Sequence, residues 1–180
     1  MGRRSGAALT RDDLVAAAIR VLERGGVDAL GTASVASELG IRPPSVYHHF
    51  EGNEALRFAA ATEGWRRLLA ALPEPSTDGS VSLAEYARAY RAFALANRAL
   101  YQLMTSTPFV PTDPALLELA ARAAAVLTPL RLEGDDVLHA LRGLRAAIHG
   151  FVALELAGQV QLALSADSSF EWLIDRLIRP

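Results

Sequence analysis

The 180-residue chain contains no cysteine, which excludes disulfides and thiolate metal sites and favours a reducing compartment. It also contains no lysine, so all 18 basic residues are arginine. No run of apolar residues approaches the roughly 18 needed to cross a bilayer. The opening segment, MGRRSGAALTRDD, has no long apolar core, and Gly6 stands where a myristoylation signal wants Ser or Thr. Neither a secretory signal nor a lipid anchor is expected. Aromatics make up 7 % of the chain. There is no phosphate-cradling glycine loop, no nucleophile elbow and no paired-carboxylate motif. No cofactor is expected.

What is there is a helix-forming composition. Half of the residues are hydrophobic (51 %), and alanine and leucine dominate. That favours close-packed helices over a sheet rich in Val, Ile and Thr. The net charge of −2 does not announce nucleic acid. The charge is uneven, however: Arg3, Arg4 and Arg11 all precede the first acidic residue.

The helix signals are local. Thr10-Arg-Asp-Asp13 reads as a capping box, followed by Leu14, Val15, Ala18, Ile19 and Leu22 at helical spacing and a stop at Gly25-Gly26. A short second helix over 32–39 buries Val35, Ala36 and Leu39, and Gly40 is its left-handed cap. Arg42 and Pro43 are expected to be extended, with Pro44 in the first turn of a third helix. Each of these two helices has only about two turns, too few to be stable alone. Val46 and Phe50 are the inward pair of the third helix, leaving Ser45, Tyr47, His48 and His49 outside.

Asn53 opens a fourth helix to Leu72, with Leu56, Ala60, Gly64, Leu68 and Leu69 on its buried side. Residues 73–80 form a linker. Five more helices are expected over 82–97, 99–106, 114–130, 134–160 and 168–178, and strands nowhere. The fold class is all-α, with about nine helices. A three-helix head (1–57, with the fourth helix to 72 as connector) precedes a larger body (73–180).

Helix, short turn, helix is the arrangement that places its second helix in a DNA major groove, which is about 12 Å wide. GIRPPSVYHHF followed by EGNEALRFA resembles the signature of the TetR family of bacterial transcriptional regulators, as do the first helix and SVASELG. A second stretch, LRAAIHGFVALELAG (144–158) with SSFEWLIDRL, resembles the C-terminal domain of a TetR subgroup with a His-Gly motif, here His149-Gly150.

The resemblance implies a cytoplasmic bacterial homodimer that binds double-stranded operator DNA and is released by a small-molecule effector, with repression as the default sign. Arg42, Pro43 and Ser45 are then expected at base edges, and Tyr47 and His49 on backbone phosphates. His48, Thr32 and Ser34 are expected near the backbone, and Arg3, Arg4 and Arg11 on flanking DNA. Asn53 is also expected at the DNA, although it stands where the family usually has a phosphate-binding lysine. Gly31 replaces a frequent Ser or Thr, and Ala33 stands where a basic residue is common. Each missing cation removes about one phosphate neutralisation.

The resemblance also implies a four-helix dimer interface, to which Leu141, Leu144, Ile148, Phe151, Val152 and Trp172 are assigned. Val137 extends the apolar stripe, and Gly143, Ala147, Gly150 and Ala153 keep it thin. Trp65, Tyr86, Tyr90, Phe93, Tyr101, Met104, Phe109, Arg145 and His149 are candidates for an effector pocket, with core packing the competing reading for the aromatics. Arg142 is either a further charged pocket group or surface.

Adjacent His48 and His49 do not chelate one ion well, because helix neighbours point about 100° apart. Asp136 and His139, three apart, read as a surface or dimer pair. No metal is expected. Two other classes are weaker readings. One is a helical small-molecule-binding protein with weakened DNA affinity. The other is an enzyme using His149 or the histidine pair, which ranks far lower.

Overall fold

A computed structural model describes residues 8–74, 82–108, 113–161 and 163–178. Among them are nine α-helices and two short 3-10 turns, with no strand. The helices are α1 (Arg11–Gly25), α2 (Thr32–Leu39), α3 (Pro43–Tyr47), α4 (Asn53–Ala71), α5 (Leu83–Ala96), α6 (Arg98–Ser106), α7 (Pro114–Leu127), α8 (Asp135–Leu156) and α9 (Ala166–Ile178).

Most ends follow from capping chemistry. Thr10 and Asp13 exchange hydrogen bonds across the first turn of α1, satisfying amides that a helix start leaves orphaned. Ser82 and Glu85 do the same for α5. Asp113 accepts from the Ala115 amide ahead of Pro114. Gly40 closes α2 in the left-handed region (φ 63°).

Several boundaries differ from the sequence expectation, among them the end of α7, which stops at Leu127 where a 3-10 turn follows. α3 begins at Pro43, because Arg42 alone takes the extended conformation and its carbonyl already accepts from Ser45 at 2.9 Å. α8 stops at Leu156, four residues early, where Gly158 turns left-handed (φ 68°). α9 starts at Ala166, because Ser165 accepts the Ser168 amide as its cap. Most of the expected linker, residues 75–80, lies outside the described residues.

The helices form two compact units. The first runs to Trp65 and includes the stretch from Asn97 that forms α6; the second contains Arg66–Ala96 and the chain after α6. Sequence reasoning had placed α6 in the body. It groups with the head because Leu100, Tyr101, Leu103 and Met104 bury one strongly amphipathic face of this nine-residue helix. A Cβ on Gly64 would stand 2.7 Å from Met104 and 3.1 Å from Leu100, so only glycine permits this approach. The core of the first unit is Leu14, Ala18, Leu22, Val35, Val46, Phe50 and Leu56, each at most 2 % exposed.

In the second unit, α5 is fastened by arginines. Arg91 makes a two-pronged pair with Glu155 of α8 (2.6 and 2.7 Å) and a further bond to Asp167 of α9 (2.7 Å). Its guanidinium also lies 5.0 Å from the Phe170 ring centre. Arg122 of α7 is buried and donates to the Leu69 and Leu72 carbonyls, capping the end of α4. By length and composition α8 is apolar enough to cross a membrane, although its sequence has no uninterrupted apolar run of that length. It is mostly exposed in the single chain.

Candidate nucleic-acid interface

α2 and α3 are joined by three residues, Gly40, Ile41 and Arg42. The left-handed glycine lets the chain reverse, and the paired prolines start α3 without orphaning amides. Val46 and Phe50 anchor α3 inward. That leaves Arg42, Pro43, Tyr47 and His48 exposed, with Ser45 and His49 half-buried. The resulting ridge carries a guanidinium, a phenol and two imidazoles. Those are donors suited to guanine edges and phosphate oxygens.

The remaining expected contacts divide. Tyr47, 57 % exposed, accepts a hydrogen bond from the Thr32 hydroxyl at 3.2 Å, which leaves its own O–H free to donate outward. Thr32 itself is buried, so its hydroxyl serves Tyr47 and is not a surface group. Ser34 is turned inward: its hydroxyl accepts from the Gly31 amide at 3.0 Å and donates to the Ala29 carbonyl at 2.7 Å. It caps the start of α2.

Asn53 is exposed, but its Oδ1 accepts from the Thr32 amide at 2.8 Å. Arg11 bonds the His49 carbonyl at 2.8 Å. Arg3 and Arg4 lie outside the described residues.

Sequence reasoning missed three arginines here. Arg57 of α4 donates to the Val27 carbonyl (2.9 Å) and twice to the Leu30 carbonyl (3.0 and 3.2 Å), gripping the turn before α2. The signal was an arginine amid the apolar spacing of Leu56 and Ala60. Arg24 and Arg20 both pair with Glu38, joining α1 to α2 and holding the Glu38 carboxyl down to about 2.

The other candidates sort by unit. Trp65, Tyr101 and Met104 are buried in the first unit, and Tyr86, Tyr90 and Phe93 in the second. The Tyr86 and Tyr90 rings are 6.5 Å apart. Burial, then the neighbouring Tyr90, raises the Tyr86 phenol well above its ordinary value, while Arg122 and Arg145 pull against this. Burial and the Arg145 charge lower the imidazole of His149. Arg142 and Arg145 are exposed on α8, and Phe109 lies outside the described residues. A separate cleft of about 520 Å³ opens at the α7–α8 turn, lined by Leu127, Arg131, Leu132 and Val137. None of the aromatic candidates lines it.

Several of the assigned dimer residues face inward. Leu144, Ile148 and Val152 are buried in the chain's own core, and Phe151 stacks on Phe170 at 5.2 Å. Leu141 is half-buried. Of the assigned residues Trp172 faces outward, at 63 % exposure, and Leu138, Leu154 and Leu164 do so as well, at 48, 49 and 72 %. The stripe had the right period but was read as facing outward.

Residues 14–60 match the family model for bacterial regulatory proteins of the tetR family, and residues 83–177 match that of the tetracyclin repressor-like C-terminal domain. The chain belongs to the TetR family. It is therefore a DNA-binding transcriptional regulator. It is 31 % identical to the HTH-type transcriptional regulator Rv0681 of Mycobacterium tuberculosis, over 95 % of this chain and 81 % of that one. It is 30 % identical to the class G tetracycline repressor of Vibrio anguillarum, over 84 % of this chain and 70 % of that one. A TetR variant from Acinetobacter baumannii AYE, solved in complex with minocycline, superposes with a TM-score of 0.76 at 27 % identity, covering 95 % of each chain.

Proposed function

We propose that the protein is a cytoplasmic homodimeric repressor that binds a near-palindromic operator and leaves it when a small molecule binds. The observation that carries this reading is the exposed ridge of α3, with Arg42 at its start and Tyr47 and His48 at its end. Arg42 pairs with guanine in the major groove, and Pro43 and Ser45 lie along base edges. Tyr47, His48 and His49 contact phosphates. Two such helices in a two-fold dimer meet half-sites roughly 34–36 Å apart.

Dimerisation is supported by the outer face of α8 and α9. Leu138, Leu154 and Trp172 are exposed there, and a Cβ on Gly143 or Gly150 would meet nothing within 4 Å. A long apolar helix left uncovered on one face fits a second copy packed closely along those glycines. Ligand release is supported by the likeness to tetracycline repressors, one of them holding minocycline. The effector acts by favouring a state whose two heads no longer match successive grooves, and this difference in affinity is what weakens DNA binding.

A fluorescence-anisotropy titration tests the reading, using duplex DNA from upstream of the protein's own gene at two salt concentrations. Tight, salt-sensitive binding that is lost in Arg42→Ala and Tyr47→Ala is expected. Binding no tighter than to random duplex, and equal in the variants, would overturn it.

A further inference from the structure

The structure brings Gly31, before α2, and Asn53, at the start of α4, together. Gly31 is the cap residue of α2 and has no side chain to accept an amide. Its backbone is extended (φ −162°), a conformation open to any residue, so glycine is not needed for the turn. The space a side chain would take is filled by Asn53: a Cβ on Gly31 would stand 3.3 Å from the Asn53 Oδ1. That same oxygen accepts the first helical amide of α2, Thr32 N–H, at 2.8 Å. An acceptor for one of the orphan amides at the start of α2 is thus supplied from another helix, α4.

One turn further along α4, Arg57 holds the Val27 and Leu30 carbonyls just ahead of α2. From Thr32 the connection continues, through its hydroxyl, to the phenol oxygen of Tyr47. A hydrogen-bonded path therefore runs from the first turns of α4, through the start of α2, to the recognition helix.

We propose that Asn53 and Arg57 are positioning residues for operator binding. They fix the start of α2, and through Thr32 the outward-facing Tyr47 hydroxyl, in the register the DNA backbone requires. Neither residue touches DNA in this role. The start of α2 thereby depends on where the first turns of α4 stand, so displacement of those turns loosens the reading surface directly. The inference rests on the reading that Tyr47 meets the operator backbone.

The test uses the full chain and a fluorescein-labelled duplex selected by the wild-type protein from a random-sequence pool. Affinity is measured across salt concentrations, at a temperature where circular dichroism shows every variant folded. Asn53→Ala and Arg57→Met are each expected to weaken binding about tenfold, with the slope of log affinity against log salt unchanged.

Gly31→Ser combined with Asn53→Ala is expected to recover part of the affinity, since the introduced hydroxyl accepts the Ser34 amide and completes the box with Ser34, steadying the start of α2 although the Thr32 amide regains no acceptor. A slope reduced by about one in Arg57→Met would mean a direct phosphate contact and overturn the proposal. Unchanged affinity, or no recovery with the serine, would overturn it as well. If Arg42→Ala and Tyr47→Ala bind the selected duplex as the wild type does, the interface reading itself fails.

Discussion

The Arg11 guanidinium donates to the His49 carbonyl at 2.8 Å and lies 4.1 Å over the Phe50 ring. One side chain at the start of α1 thus caps the end of the recognition helix and covers the aromatic residue that anchors it. This gives Arg11 a structural role in the head. Arg11→Met is expected to destabilise the protein by about 2 kcal/mol, the sum of a charge-assisted hydrogen bond and an exposed cation–π contact at the low end of their ranges. Urea denaturation measures this, and the salt dependence of operator binding is expected to stay unchanged.

Glu38 gives the head an acid-labile fastening. Hydrogen bonds from Arg24 first, then Arg20, lower its carboxyl to about 2 from an ordinary 4.5. Because the folded value lies below the unfolded one, the stability this group supplies is fully present above pH 4.5 and is lost as the pH falls towards 2. Glu38→Gln is expected to lower the denaturation midpoint at pH 7. The gap from wild type should narrow steadily below pH 4.5. A gap that stays constant down to about pH 2.5 would count against the ion pairs as its source.

Arg91 is the hub of the second unit. Its side chain is 13 % exposed and its partner Glu155 17 %, so removing the cation leaves a largely buried carboxylate without its charge. Breaking one side of such a pair typically costs about 3–5 kcal/mol. Arg91→Leu is expected to fall near the lower end of that range, because Asp167 is 83 % exposed and recovers water at once. Combining it with Glu155→Leu should restore part of the loss, as a double-mutant cycle in urea would measure.

The legibility of this chain follows the range of the forces involved. Thr10 with Asp13, Ser82 with Glu85, Asp113 with Pro114 and Gly40 with Pro43 are local devices, and each marks its helix end within a residue or so. The inward pair Val46 and Phe50, and with it the outward ridge of α3, follow from spacing alone. What sequence did not reveal is long-range. Nothing local tells Asn53 to serve the Thr32 amide 21 positions away, or Arg57 the Val27 carbonyl 30 away. Beside Gly31, which has no side chain, the acceptor for the first amide of α2 comes from Asn53 of another helix. On α8 the period was legible but the direction was not, because an amphipathic helix with small residues opposite its large ones does not say which side meets its own core. Leu144, Ile148 and Val152 turned inward, and the glycines outward.

That direction yields a prediction whose sign separates two states of the protein. In the single chain, a side chain at Gly150 would extend into open space, so Gly150→Leu should behave as a surface helix substitution. Replacing glycine by a good helix former there would stabilise the chain by about 1 kcal/mol. If a second copy packs along Gly143 and Gly150, the same leucine enters a close helix contact. Overpacking then costs about 1–3 kcal/mol for each insertion, and a two-fold interface receives it twice. The loss therefore exceeds the helix-propensity gain, and the dimer should dissociate at concentrations where wild type does not. Sedimentation equilibrium of Gly150→Leu is expected to show a mass nearer one chain, with melting that depends on protein concentration. A variant that remains wild type in mass and melts higher would place the dimer contact elsewhere on the molecule.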